Sequence, residues 1–235
     1  MNEEEFARTL SDIGISISKE QLELLDKFYS ILVEWNEKIN LTGITDKKEV
    51  YLKHFYDSLT LYKAYDLTKD INMCDVGSGA GFPGIVLKIV FPNLNIVLVD
   101  SLGKRVNYLN EVIRELGLVN IVAKHVRMEE FSRDNKNKFD VITARAVASI
   151  PVLAEISFLS LRLGGKLILM KANAEEELKS SIGAITKLGL KLDNTFIFSL
   201  PIENSKRMLI SIEKVKQINT DVFPRSIDKI RKKPL

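Results

Sequence analysis

Two hydrophobic rhythms divide this chain. After Ser18 and Gln21, which form a capping-box start, Leu22, Leu25, Phe28, Leu32, Trp35 and Ile39 recur at helical spacing. The spacing predicts a long helix whose apolar stripe is core. A helix end and a polar turn follow at residues 35–43, and a second helix is expected from about residue 46 to 65. From Asn72 the rhythm changes to short apolar runs alternating with helical stretches. The runs cover residues 71–76, 94–100, 120–123, 139–144 and 165–171. A helix over residues 174–188 then leads to a closing hairpin, 192–200 and 207–215, turned by Pro201, Ile202, Glu203 and Asn204. Alternation of this kind argues for an α/β architecture, a parallel sheet with helices on both faces. The chain therefore divides into a helical extension (1–65), an α/β domain (66–216) and a basic tail (217–235), expected to be extended.

The stretch around which this arrangement turns is Asp75-Val76-Gly77-Ser78-Gly79-Ala80-Gly81-Phe82-Pro83-Gly84. It reads as a strand end, a glycine-rich turn and a helix start with proline in its first turn. Such a turn at the carboxyl edge of a parallel sheet is a nucleotide-cofactor site. A dinucleotide fingerprint that starts at Gly77 would need glycine where Phe82 stands, and a match shifted to Gly79, Gly81 and Gly84 starts late and contains Pro83. Asp75 is an acid in an otherwise apolar strand and needs partners there, such as the amino group of a methionine moiety. An acid followed by Gly-x-Gly-x-Gly looks like the S-adenosylmethionine motif of class I methyltransferases. A nicotinamide-dependent oxidoreductase and a plain glycine turn stand as the other readings of this stretch.

Bulk properties narrow the field only slightly. A chain of 235 residues, 46% hydrophobic and 28% charged, buries a real core and fits a soluble globular enzyme. The acidic start, Met1-Asn2-Glu3-Glu4-Glu5, is unlike a signal peptide, and no apolar run is long enough for a membrane span. The one cysteine, Cys74, excludes an internal disulfide and fits a reducing, cytoplasmic setting; in the strand before the glycine turn it reads as a buried thiol. Nothing demands more than a monomer, a membrane or a metal. The net charge of +3 permits a nucleic-acid partner without requiring one.

Charge placement is more informative. Asp100 ends the second strand about twenty residues past the glycines, where an acid takes ribose hydroxyls; it could equally be a helix N-cap. Lys104 and Arg105 open the next helix against the macrodipole, which hints at anion contact. After the third strand, Arg127, Met128 and Glu129 form an acidic turn able to accept from an adenine amino group, with Met128 covering the ring. Arg145 and Lys171 end the fourth and fifth strands at the same sheet edge and are candidate anchors for substrate or cofactor. The tail adds Arg225, Arg231, Lys232 and Lys233. With Lys104, Arg105, Arg127 and Lys171 these are candidate phosphate contacts for RNA. In the second helix His54, Asp57 and Ser58 stand at i, i+3 and i+4 on one face. One helix surface does not easily supply the geometry of a hydrolytic triad, so they read as a polar cluster bracing the helix against the α/β domain.

Six stretches, taken in order, resemble one family, the bacterial small-subunit ribosomal RNA guanine-N7 methyltransferase G, also called glucose-inhibited division protein B. They are Trp35-Asn36 to Asn40-Leu41-Thr42, His54 to Asp57-Ser58, the run from Asp75 to Gly84, Asp100-Ser101-Leu102-Gly103-Lys104-Arg105, Arg145-Ala146 and Met170-Lys171. The basic ending resembles that of Gram-positive members. The resemblance implies a class I, Rossmann-like domain with a seven-stranded, mostly parallel sheet, last strand antiparallel, behind the helical extension. It implies S-adenosylmethionine held by Asp75, Gly77, Gly79, Gly81, Phe82, Asp100, Met128, Glu129 and Arg145. The acceptor implied is N7 of a guanosine (position 527, in the 530 loop) of 16S ribosomal RNA, free or in the 30S subunit. Ala172 stands where the family commonly has glycine. Guanine N7 carries a free lone pair, so alignment alone could drive the reaction and no acid–base residue is expected. An RNA-binding assembly factor that keeps the fold without the chemistry is the remaining alternative.

Overall fold

The computed structural model describes residues 1–218, 223–233 and 235. Asn2 and Ser18 each accept from the third residue of the helix they open, which caps α1 (Glu3–Ser11) and α2 (Lys19–Ile39) with reciprocal capping boxes. The helix expected over 46–65 is not one regular helix. It runs as α3 (Lys47–Val50), a π-helical turn (Tyr51–Tyr56), α4 (Asp57–Leu59) and a 3₁₀ turn (Thr60–Lys63). A π turn inside a helix is commonly found at functional sites, because it shifts the register of the side chains that follow.

The strands are β1 (Asn72–Val76), β2 (Asn95–Asp100), β3 (Ile121–His125), β4 (Phe139–Arg145), β5 (Leu161–Lys171), β6 (Leu190–Ser199) and β7 (Lys206–Lys214). They form one sheet in the order β3-β2-β1-β4-β5-β7-β6, parallel except for β7, which pairs antiparallel with both neighbours. Between them lie α5 (Gly84–Val90), α6 (Gly103–Glu115), α7 (Met128–Asp134), α8 (Ile150–Ser157) and α9 (Glu175–Lys187). The order reverses at β1, between β2 and β4, and opens a crevice at the carboxyl ends of these strands. Strands β1 and β4 are buried almost throughout, as expected of a parallel sheet covered on both faces. Among the described residues no helix is long and apolar enough to cross a membrane.

The helical extension is welded to the sheet rather than appended to it. One continuous apolar cluster runs from Phe6 and Leu10 through Leu25, Phe28 and Phe55 to Phe82, Ile85, Leu98 and Ile168. Phe28 stacks on Phe55 at 5.6 Å and lies 5.5 Å from Phe82, so the aromatic residue inside the glycine turn is packed by α2 and by the π turn of the extension.

The tail departs from the expected extended arm. It forms α10 (Ile227–Lys232), whose Ile227 and Ile230 join the second apolar cluster, against α8. Two apolar residues three apart gave it a buried helical face that outweighed its overall basic character.

Phe28→Ala should cost about 3–5 kcal/mol. Because its ring belongs to both parts of the chain, urea unfolding of the variant should remain a single transition. Two separated transitions would mean that the extension and the sheet fold independently.

Candidate functional site

At the crevice, Gly77 takes φ 67° and a Cβ there would lie 2.7 Å from Val147 Cγ2, so the main chain passes Val147 at a distance only glycine allows. Gly84 is equally constrained, since a Cβ would lie 2.8 Å from Asp75 Oδ2. A cavity of about 320 Å³ opens beside Gly77, within the usual range of small-molecule sites of about 300–1,000 Å³. Val76, Val99, Val126, Met128, Ile156 and Ile227 give it apolar walls, and Asp100, Glu129, Arg105 and Arg127 bring charge to it.

Asp100 organises the turn. Its Oδ2 accepts from Gly79 N–H at 2.9 Å and its Oδ1 from Leu102 N–H at 2.9 Å, with Arg105 Nη1 at 3.8 Å. Each oxygen keeps a lone pair for a further donor, and the carboxylate is almost wholly buried at the cavity wall. Apolar walls for a flat base, a carboxylate for vicinal hydroxyls and a glycine at the point of closest approach fit a nucleoside-bearing cofactor.

The structure divides the expected cofactor residues in two. Gly77, Asp100, Met128 and Glu129 line this cavity; Asp75, Gly79, Gly81, Phe82 and Arg145 do not. Asp75 lies beneath the turn, fully buried, where Oδ2 accepts from Gly84 N–H at 3.0 Å and Oδ1 has no partner. Burial pushes its carboxyl up to about 7, against the lowering effect of the Gly84 and Ser78 hydrogen bonds. Its place is to hold the turn from below. Phe82 is drawn into the aromatic cluster by Phe28 and Phe55, and Gly81 sits over Ile85. Arg105 and Arg127, expected to face RNA, also border this cavity, at the carboxyl ends of β2 and β3, and Arg127 is exposed besides. The acidic turn after β3 is the first turn of α7, with Arg127 as its N-cap residue.

A second cavity, about 360 Å³, lies on the other side of Arg145 and Ala146. Ala146 borders both cavities and takes φ 56°, a left-handed conformation uncommon for a residue with a Cβ. Lys53, His54 and Asp57 face this cavity from the extension; Arg145, Lys171, Ala172 and Arg207 face it from the sheet.

Arg145 is the hub. Its guanidinium lies 5.0 Å over the Phe82 ring, donates from Nη1 to Lys53 O at 3.0 Å and Asp57 Oδ2 at 3.2 Å, and from Nη2 to His54 Nδ1 at 3.1 Å. Arg207 Nε donates to the other Asp57 oxygen at 3.0 Å. Because Nδ1 of His54 accepts from Arg145, the ring proton belongs on Nε2, which donates to Thr42 Oγ1 at 2.9 Å. Thr42 is set in place by Asn36, whose Oδ1 accepts from the backbone of Leu41 and Thr42 at the end of α2. Burial, reinforced by the adjacent Arg145, pushes the His54 imidazole down to about 3. Ser58 takes no part, since its hydroxyl donates back to His54 O within the helix. Lys171 is engaged as well, donating to Ala148 O at 2.9 Å and pairing with Glu177 at 3.2 Å.

Of the other expected RNA contacts, Lys104, Lys232 and Lys233 are exposed. Arg225 is only partly exposed. It is bound to Glu155, fully buried in α8, which a free carboxylate could not be. The Arg231 side chain lies outside the described residues. Arg207, which reading the sequence missed as a site residue, reaches the cavity because β7 inserts beside β5 and starts at the carboxyl edge. Among the described residues no cluster of acidic, histidine or cysteine side chains is placed to hold a metal ion.

The fold is that of class I S-adenosylmethionine-dependent methyltransferases. A variant of the 16S rRNA (adenine(1408)-N(1))-methyltransferase from Catenulisporales acidiphilia shares this fold at TM-score 0.55 and 13% identity, over 65% of this chain and 89% of that one. M. jannaschii TYW2, solved in complex with AdoMet, does so at TM-score 0.50 and 16% identity, over 69% and 77%. A family model described as rRNA small subunit methyltransferase G matches residues 21–206. The ribosomal RNA small subunit methyltransferase G of Bacillus subtilis (strain 168) is 46% identical over 100% of this chain and 99% of its own. That of Exiguobacterium sibiricum is 44% identical over the whole of both. The chain belongs to the rRNA small subunit methyltransferase G family.

The Asp75 carboxyl gives a stability signature. Between about pH 4 and 7 the folded chain holds a proton that the unfolded chain has released, so this group's contribution falls as pH rises through that window. Asp75→Asn keeps the acceptor for Gly84 N–H and removes the titration. Urea unfolding at pH 5 and pH 8 should therefore show the variant gaining on the native chain at the higher pH. A difference independent of pH would mean that the carboxyl is ionised in the fold.

Proposed function

We propose that this chain methylates N7 of a guanosine in the 530 loop of 16S ribosomal RNA, without a general base. Family membership makes it an S-adenosylmethionine-dependent methyltransferase acting on small-subunit ribosomal RNA. The choice of atom and the manner of catalysis are the proposal. The observation that carries them is the chemistry of the second cavity. Its one imidazole has both nitrogens engaged and is held neutral, with a pKa near 3. Its one lining carboxylate, Asp57, is tied to two arginines. The imidazole is therefore no base near neutral pH, and both oxygens of the carboxylate are occupied. An acceptor that must lose a proton before attack, such as a ribose hydroxyl, is poorly served there. Guanine N7 needs none removed.

When bound, S-adenosylmethionine supplies an activated methyl group on a sulfonium. Gly77, Asp100, Met128 and Glu129 would hold it in the first cavity, and Arg105 and Arg127 stand at its border. On the other side of Ala146, the walls formed by Met170, Ala172 and Ile44 suit a flat purine. Arg145, pinned by Asp57, Lys53 O and the Phe82 face, keeps the partition between the two cavities rigid. Rigid alignment of nucleophile and electrophile can replace acid–base assistance in such a reaction. The guanine must be splayed out of its RNA to enter, and the exposed Lys104, Arg127, Lys232 and Lys233 can hold the flanking phosphates.

Labelled S-adenosylmethionine with deproteinised 16S RNA or 30S subunits, followed by borohydride–aniline cleavage, tests this directly. One cut in the 530 loop is expected; label at another atom or site refutes the proposed target. Arg145→Ala should lower the rate about a hundredfold or more, the scale of losing a preorganised charged contact. His54→Gln should retain activity within about tenfold, with a rate flat from pH 6 to 8. A lost rate or a new pH dependence in that variant would reinstate His54 as a base.

A further inference from the structure

We propose that the C-terminal segment is a working wall of the cofactor cavity, positioned there by Arg225, which pairs with the buried carboxylate of Glu155. This rests on the first cavity being the S-adenosylmethionine site. Ile227 lines that cavity, and its backbone N–H donates to Oε1 of Glu129, which lines it too, at 3.3 Å. A residue 98 positions away in sequence thus fixes the carboxylate at the start of α7 and closes the cavity beside it.

The reason the tail sits there is electrostatic. Glu155 is fully buried on an otherwise apolar helix, α8. Its Oε1 accepts from Arg225 N–H at 3.0 Å and Nε at 2.8 Å, and its Oε2 from Nη2 at 2.6 Å. Arg225 Nη1 also donates to Lys233 O at 2.9 Å, which gathers the far end of α10. Undocking the segment would leave a carboxylate unpaired among apolar neighbours, a state strongly disfavoured by desolvation. The next residue on α8, Ile156, also lines the cavity, so one helix both clamps the tail and meets the ligand. Arg225 and Ile227 are therefore positioning residues for the cofactor side. Arg225 does not serve as a phosphate contact. Coupling of this kind is reciprocal: a ligand packed against Ile227 must in turn favour the docked tail.

Calorimetric titration of the full chain with S-adenosylmethionine and with S-adenosylhomocysteine provides the test, with hydrogen exchange over residues 223–233 as a second readout. Ile227→Ala should raise both dissociation constants about tenfold, the scale of trimming an apolar pocket wall, and leave the KM for RNA unchanged. Exchange in the native tail should slow when either ligand is saturating. Because a lone Arg225 substitution would strand Glu155 and risk misfolding, the clamp is removed as the double variant Glu155→Gln, Arg225→Met. It should weaken cofactor binding in the same direction and abolish the ligand-induced slowing. Unchanged dissociation constants in both variants, or tail exchange indifferent to ligand, would overturn the proposal. So would a raised KM for RNA with steeper salt dependence as the sole effect, which would mark the tail as an RNA arm. If the native chain bound neither ligand, the assignment of the cavity itself would fall, an outcome distinct from native binding that the variants leave unaltered.

Discussion

Asp57 shares its two carboxylate oxygens between Arg145, from the end of β4, and Arg207, from the start of β7, and the rest of the site depends on this arrangement. Three segments far apart in sequence meet on one carboxylate. Two half-buried arginines close together would repel each other; an acid between them, with Lys53 O and the Phe82 face as further partners, makes the cluster tolerable. Such a network adds little net stability compared with an apolar core. What it provides is one rigid geometry at the rim of the sheet, with His54 held neutral as part of the frame.

That frame places two cavities back to back. Gly77 lets the chain pass Val147 closely, and Ala146, in a left-handed conformation, is the thin partition between the two cavities. Strain at a single non-glycine residue survives only where the surroundings over-determine it. Here Arg145 on one side and the close approach of Val147 to Gly77 on the other do so. The same logic separates the two acids of the glycine motif. Asp100 faces the cavity with spare lone pairs, whereas Asp75, one strand over, lies beneath the turn and takes the N–H of Gly84.

The helical extension and the tail have parallel relations to the α/β core. Each contributes an apolar face, side chains that line a cavity and a charged group that ties it down: His54 and Asp57 line the second cavity from the extension, and Ile227 lines the first from the tail, with Arg225 bound to Glu155. Neither is an appendage, and each is joined to the core by an ion pair on a buried carboxylate.

Much of this was legible in the chain itself. Hydrophobic periodicity located every strand within a few residues, and the spacing of Asp75, the glycines and Asp100 indicated a nucleoside-bearing cofactor, because local backbone geometry and side-chain alternation are written in neighbouring residues. The face shared by His54 and Asp57 was readable for the same reason, though Ser58 bonds back to its own helix. What the chain could not reveal depended on residues distant in sequence. The insertion of β7 beside β5 brought Arg207 to the site; the packing of Phe28 and Phe55 drew Phe82 into the aromatic cluster; and Glu155, silent within an apolar helix, captured Arg225 and turned a basic tail into a cavity wall. Charge alone indicates that a partner is needed. Only the tertiary fold, by setting the distance and the desolvation, decided whether that partner was a ligand, a nucleic acid or another part of the same chain.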